Sequence, residues 1–326
     1  PITGISGDVR FRGNRMDARA QSDAVLGLRL SGMQASMAEL GKHEEHLRVK
    51  GVVQGATSGF LRYAASTPVA RRFGGLSDKI KAVGDARLDV ELDLPLHRIK
   101  DSAIKGELKL QDNRVTLDAR LPPFERFGAR IAFTEHSFNV RDGRALLLGE
   151  PLSFEAANDA HGGVTARIAG TLNVDRARAV SKHPMLAYLD GQTPWHGTIG
   201  VRDKVTSIRL DSDLVGLKST LPPPFAKTAP ASLPLSVELI ERPAGQGEFT
   251  VNVDNVASAR LLLDASVPGG ASRGAVNLGG PAAPPSADGL WIRGSLDFVD
   301  ADAWQDLLAG GSGESQFDLA GVALQI

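Results

Sequence analysis

Two short strings in the 326-residue sequence have the residue types of a reactive or metal-binding site. Gly270-Ala271-Ser272-Arg273-Gly274 spells the pattern in which a serine on a sharp strand-to-helix turn becomes an acyl-transfer nucleophile. That chemistry takes its base from a histidine later in the chain, and the last histidine is His196. The flanking residues read as a hairpin, so a plain turn is the better reading. His43-Glu44-Glu45-His46 has the composition of a metal site. A zinc-binding helix, however, presents histidines at i and i+4 with a third ligand elsewhere. These two stand at i and i+3 in a polar stretch ahead of a strand, which reads as a solvated loop. His97, His136, His161, His183 and His196 are scattered. With no cysteine, disulfides, thiolate metal sites and thiol nucleophiles are excluded together. There is no Gly-Lys-Ser phosphate loop and no carboxylate pair placed for acid-base work, so neither an enzyme nor a cofactor is expected. Lys plus Arg number 37 against 38 acidic residues, and this balance supplies no basic face for nucleic acid.

What remains is a surface, and its signal is alternation. From Ala86 the chain places Leu88, Val90, Leu92 and Leu94 on one parity and Arg87, Asp89, Glu91 and Asp93 on the other. A period of two sends these sets to opposite faces of a sheet. The same grammar carries Leu108 and Leu110, then Val115 and Leu117, Ile131 and Phe133, Ile168 and Leu172, Ile199 and Val201, Ile208 and Leu210. It continues through Leu235, Val237 and Leu239, Phe249 and Val251, and Ile292, Leu296 and Phe298. Gly13-Asn14, Asp112-Asn113, Asp142-Gly143, Asp203-Lys204 and Gly269-Gly270 read as hairpin turns, which imply antiparallel neighbours. A parallel α/β fold would need a helix after nearly every strand, and only about three short helices are expected. Thr57, Asp175 and Asp300 are their expected N-caps. The fold class is therefore mainly β, a long twisted antiparallel sheet.

Ile5-Ser6-Gly7-Asp8-Val9-Arg10-Phe11 through Asn14 aligns without a gap on Ile104-Lys105-Gly106-Glu107-Leu108-Lys109-Leu110 through Asn113. Leu121-Pro122-Pro123-Phe124 is echoed by Leu221-Pro222-Pro223-Pro224-Phe225. Such spacing suggests repeat units of roughly 1–100, 101–195 and 196–326. Alternation runs up to Pro1 and Ile326, so the chain reads as an internal segment of a longer protein. The oily parity has two readings: the closed core of a structural or adhesin-like β-repeat scaffold, or an open lining. Gly7, Gly51, Gly106, Gly170 and Gly294 occupy that parity, where glycine weakens packing but permits curvature or close approach of a ligand. They favour the lining, as does the low aromatic content of 5%.

Asp112-Asn113-Arg114-Val115-Thr116-Leu117, followed by Leu121-Pro122-Pro123-Phe124 and Gly128-Ala129-Arg130-Ile131-Ala132-Phe133, resembles the YhdP branch of the AsmA-like family. So does Gly51-Val52-Val53-Gln54-Gly55-Ala56-Thr57 running into Phe60-Leu61-Arg62-Tyr63. The resemblance implies a repeating β-groove, a sheet curled into an elongated trough whose aliphatic lining carries lipid chains. It also implies inner-membrane anchoring in a Gram-negative bacterium, a periplasmic location for this segment, and phospholipid movement towards the outer membrane. Phospholipid and the two membranes, reached through other parts of the parent protein, are the partners it implies. The matching strand positions make Leu108, Leu110, Val115, Leu117, Ile131 and Phe133 the expected lining, to which Leu88, Val90, Leu92, Ile168, Leu172, Ile199, Val201, Ile208, Leu210, Phe249, Val251, Ile292, Leu296 and Phe298 are added.

Overall fold

The computed structural model describes residues 3–25, 27–41, 45–65, 80–117, 122–181, 183–264, 271–285, 288–295, 304 and 319–325. The chain divides into two units, Pro1–Gly162 and Gly163–Ile326. The first holds strands β1 (Thr3–Arg12), β2 (Arg15–Val25), β3 (Leu28–Met37), β4 (His46–Ala56), β5 (Lys81–Pro95), β6 (Ala103–Thr116), β7 (Phe124–Thr134), β8 (Phe138–Leu147) and β9 (Glu150–Asn158), with helix α1 (Thr57–Ala65) between β4 and β5. Each of these strands pairs antiparallel with the next, β4 and β5 doing so across the connection that carries α1.

The second unit holds β10 (Val164–Asn173), α2 (Val174–Val180), β11 (Leu189–Arg202), β12 (Val205–Ser212), β13 (Leu217–Ser219), β14 (Leu235–Glu241), β15 (Gln246–Val253), β16 (Ala257–Asp264), β17 (Ala271–Leu278), β18 (Gly289–Ser295) and β19 (Leu319–Gln325). β10, β11, β12, β14, β15, β16 and β17 form an antiparallel ladder in that order, and β13 pairs with the start of β11. The expected all-antiparallel sheet needs correction here, because β17, β18 and β19 run parallel. Parallel neighbours need a crossover long enough to return the chain to the same end. The Gly- and Pro-rich stretch after Leu278 makes the first of these returns.

Two expected turns are also corrected. Gly13-Asn14 joins β1 to β2, and Asp203-Lys204, both at positive φ, joins β11 to β12. Asp112-Asn113 and Asp142-Gly143 instead lie inside β6 and β8. Asp112 (φ 51°), Arg126 (φ 49°) and Asp142 (φ 53°) mark register shifts in the adjacent strands β6, β7 and β8. They are β-bulges, in which a residue at positive φ takes up one extra position and the strand runs on. Gly269-Gly270 lies outside the described residues.

Two α-helices are described. α2 is capped by Asn173, whose Oδ1 accepts from the N–H groups of Asp175 (3.1 Å) and Arg176 (3.3 Å), not by Asp175. Asp175 is the second residue of the helix and pairs with Arg178 at 2.7 Å. Arg178 also donates to the carbonyls of Leu186 and Leu189 and to Asp190, which latches α2 to the start of β11. Thr57 opens α1, and its hydroxyl donates to the buried Asn113. The third expected helix lies outside the described residues, apart from the helical Trp304.

Many of the buried residues lie near the two helices. Ala82, Ala86, Val115, Ala129, Ala145 and Leu152 are buried at the end of the first unit where β4 runs into α1, and α1 packs on β5. Val174 and Ala177 of α2 are buried in the second, together with Thr193 and Leu217.

Candidate functional site: an apolar sheet face in each unit

Residues paired across a ladder share a face. In the first unit one row reads Leu30, Val53, Leu88, Leu108, Ile131, Val140 and Ala156 from β3 to β9. Beside it run Gly51, Val90, Gly106, Phe133 and Phe138. In the second unit the rows are Ala166, Ile199, Ile208, Leu239, Phe249, Leu261, Gly274 and Leu290, and Ile168, Gly197, Leu210, Val237, Val251, Ala259, Val276 and Ile292. The bulges keep this face apolar. Past Asp112 the inward parity changes from even to odd, so Asn113 and Val115 fall under the same end as Ala82 and Ala86.

The expected lining is thus largely brought together. Leu88, Val90, Leu92, Leu108, Leu110, Ile131, Phe133, Ile168, Ile199, Val201, Ile208, Phe249, Val251 and Ile292 are all half-buried. Val115 differs, being sealed at 6% exposure near α1. Leu117, Leu172 and Leu210 are more open, at 38%, 36% and 37%. Leu296 and Phe298 lie outside the described residues. Sequence reasoning missed the row neighbours Leu30, Val53, Val140 and Leu261, though their alternation was the same signal. Gly51 and Gly106 are not bare, for the end of Met33 lies over the first and the ring of Phe133 over the second.

The opposite face of the first unit is ionic. Arg87 Nη2 lies 3.0 Å from Asp89 Oδ1, Lys109 Nζ lies 2.7 Å from Glu107 and 3.5 Å from Asp89, and Lys50 lies 3.1 Å from Glu91. The hydrogen bond from Arg87, helped by the charge of Lys109, holds the Asp89 carboxyl below its ordinary range. Arg209 does the same for Asp211 on β12. A carboxyl lowered in the folded state contributes stability that is fully present above the unfolded value of about 3.9 and is lost as pH falls through the native one. Thermal melts between pH 6 and pH 2 should therefore be level at the upper end and fall below about pH 4. Asp89→Asn should lessen the fall; an unchanged acid limb would show that the pair contributes nothing, as many exposed pairs do.

The strings first considered for chemistry stay apart. Ser272 lies in strand β17, not at a strand-to-helix elbow. His43 and Glu44 are outside the described residues, Glu45 accepts from the Gly41 N–H at 2.6 Å, and His46 Nδ1 lies 2.7 Å from Asp93. Among the described residues no group of three or more His, Asp or Glu could hold a metal ion, and no helix is long and apolar enough to cross a membrane.

Long strand ladders with a half-buried aliphatic face, punctuated by a helix after β4 and again after β10, define a mainly β protein with an apolar sheet surface. The family model described as YhdP protein matches residues 1–324, and the chain belongs to that family. The chain is 23% identical over 273 residues to the intermembrane phospholipid transporter YhdP of Escherichia coli (strain K12). That match covers 80% of this chain and 21% of the relative, so the chain spans about a fifth of the relative's length. No solved structure matches.

Proposed function

We propose that the apolar faces line a lipid-carrying groove and that the chain is a segment of a periplasm-spanning phospholipid conduit between the inner and outer membranes. The observation that carries this is the half-burial of Leu88, Leu108 and Ile131 in the middle of an unbroken ladder. In a closed sandwich these central positions would be sealed as Val115 is. Aliphatic side chains left in partial contact with water gain when acyl chains lie along them, at roughly 0.8 kcal/mol per buried methylene. Headgroups would stay in water at the groove's mouth. Because paired residues repeat leucine, isoleucine and valine from strand to strand, a chain moving along a row exchanges one aliphatic contact for another at little net cost. The relative's name as a phospholipid transporter supports phospholipid as the cargo. The recurrence of strand, helix and strand at β4-α1-β5 and β10-α2-β11 supports the repeat organisation.

Protein purified from bacterial membranes should carry phospholipid, because large apolar surface is rarely left bare in water. Lipid extraction with mass spectrometry, together with uptake of a fluorescent acyl probe, checks this. A preparation with neither bound lipid nor uptake would overturn the groove.

A further inference from the structure

Four glycines of the apolar face lie beneath large side chains of neighbouring strands. Gly51 lies under the Met33 side chain, Gly106 under the Phe133 ring, Gly143 under the Phe154 ring and Gly197 under Leu210. A Cβ on Gly106 would stand 2.6 Å from Phe133 Cζ and 3.0 Å from Cε1. One on Gly143 would stand 2.3 Å from the Phe154 backbone oxygen and 2.5 Å and 2.6 Å from two of its ring carbons. Phe154 crosses Gly143 to stack on Phe127 two strands away, with ring centroids 4.9 Å apart. A strand side chain ordinarily stands roughly perpendicular to its sheet. Here the large ones lie down across a neighbouring strand, into space that only glycine leaves. Glycine weakens a strand interior, and at each of these positions a Cβ would displace the side chain that lies over it.

We propose that these glycines are recesses that keep the lining flush, so that Met33, Phe133, Phe154 and Leu210 supply apolar surface without standing across the path of an acyl chain. The proposal rests on the lipid-conduit reading and assigns the width of its path to particular residue pairs.

Gly106→Ala is the sharpest test, since the shortest contact is with the far end of the Phe133 ring, ahead of the Asp89 carbonyl oxygen at 3.1 Å. The full chain is incubated with phosphatidylcholine vesicles containing pyrene-labelled phosphatidylethanolamine, and bound label and melting temperature are read together. Gly106→Ala should stay folded and bind about tenfold less label, the loss of roughly two methylenes of contact. Gly106→Ala/Phe133→Leu should return to near the parent level, because the shorter side chain clears the path. A folded Gly106→Ala with parental binding, or a loss that Phe133→Leu does not relieve, would overturn the proposal. If Gly106→Ala does not fold, Gly51→Ala and Gly51→Ala/Met33→Ala are judged by the same criteria. Unfolding of both glycine variants would overturn it as well, since the glycines would then serve only the ladder. A parent chain that takes up no label removes the conduit reading itself, whereas a parent that binds beside an unaffected Gly106→Ala removes only the recesses.

Discussion

If the apolar face is the proposed lipid path, Leu108→Asp is expected to leave the first unit folded while abolishing acyl-chain binding. Leu108 occupies the middle of β6, flanked in register by Leu88 on β5 and Ile131 on β7. In a sealed core an unpaired carboxylate at that point would cost several kcal/mol. That is a large part of the 5–15 kcal/mol by which ordinary domains are stable. Leu108 is half-buried, so the carboxylate keeps much of its water, and the expected cost is about 2 kcal/mol, within the ordinary span for point mutations. For acyl chains the change is larger, because a hydrated charge on the central row interrupts the aliphatic surface that each methylene must cross. The control lies one residue on. Lys109→Asp would add a third carboxylate beside Asp89 and Glu107, so Lys109→Gln on the ionic face is the cleaner choice. Its effect should stay within about 0.5 kcal/mol. Thermal melts and acyl-probe binding on both variants check the pair. A Leu108→Asp chain that is wholly unfolded would point to a closed core, and one that binds lipid normally would remove this strand from the groove.

Alternation carried most of the fold because period-two burial is written residue by residue, and a face that meets apolar matter cannot afford lysine at every second position. Leu88, Val90 and Leu92 were legible for that reason. The bulges were not. Gly13-Asn14 and Asp112-Asn113 occupy equivalent places in the two aligned strings, and a positive φ follows at Gly13 and at Asp112. The first ends a strand and the second does not. Residue type fixes the local backbone conformation in both, but pairing partners far along the chain decide whether the strand turns back or runs on. Asp112 is held in a strand by β5 on one side and β7 on the other. The glycine recesses were half legible: their parity was visible, whereas the side chain that fills each one belongs to a neighbouring strand whose register the sequence does not state. The parallel end of the second unit was hidden similarly, since a Gly- and Pro-rich connection reads alike whether the next strand arrives parallel or antiparallel.

Asn113→Ala is expected to be among the most damaging single changes in the first unit, although the side chain is neither apolar nor exposed. Asn113 is fully buried at 0% exposure. Its Oδ1 accepts from the Thr57 hydroxyl at 2.6 Å, and its Nδ2 donates to the carbonyls of Asp85 (2.9 Å) and Gln111 (3.0 Å). One amide thus joins the first residue of α1 to β5 and closes the bulge in its own strand. Gly84, at φ +130°, leaves the room, since a Cβ there would stand 2.6 Å from Asn113 Oδ1. Alanine at 113 would strand a buried hydroxyl and two carbonyls, and leaving such groups unpaired costs about 1–3 kcal/mol each before relaxation or water entry. A total near 3 kcal/mol is expected once water reaches part of the site, lowering the melting temperature by roughly 6–12 °C at the scaling of 150–250-residue domains. Thr57→Val removes the same hydrogen bond from the other side but leaves both carbonyls satisfied, so its effect should be smaller. The two changes should also be non-additive, because they share one bond. Amide exchange should speed up first in α1, whose seat on β5 this network fixes, and the sealed end formed by Ala82, Ala86 and Val115 would then open towards the rest of the apolar face. An Asn113→Ala chain within about 0.5 kcal/mol of the parent, the range of an ordinary surface change, would show that α1 is held by apolar contact alone.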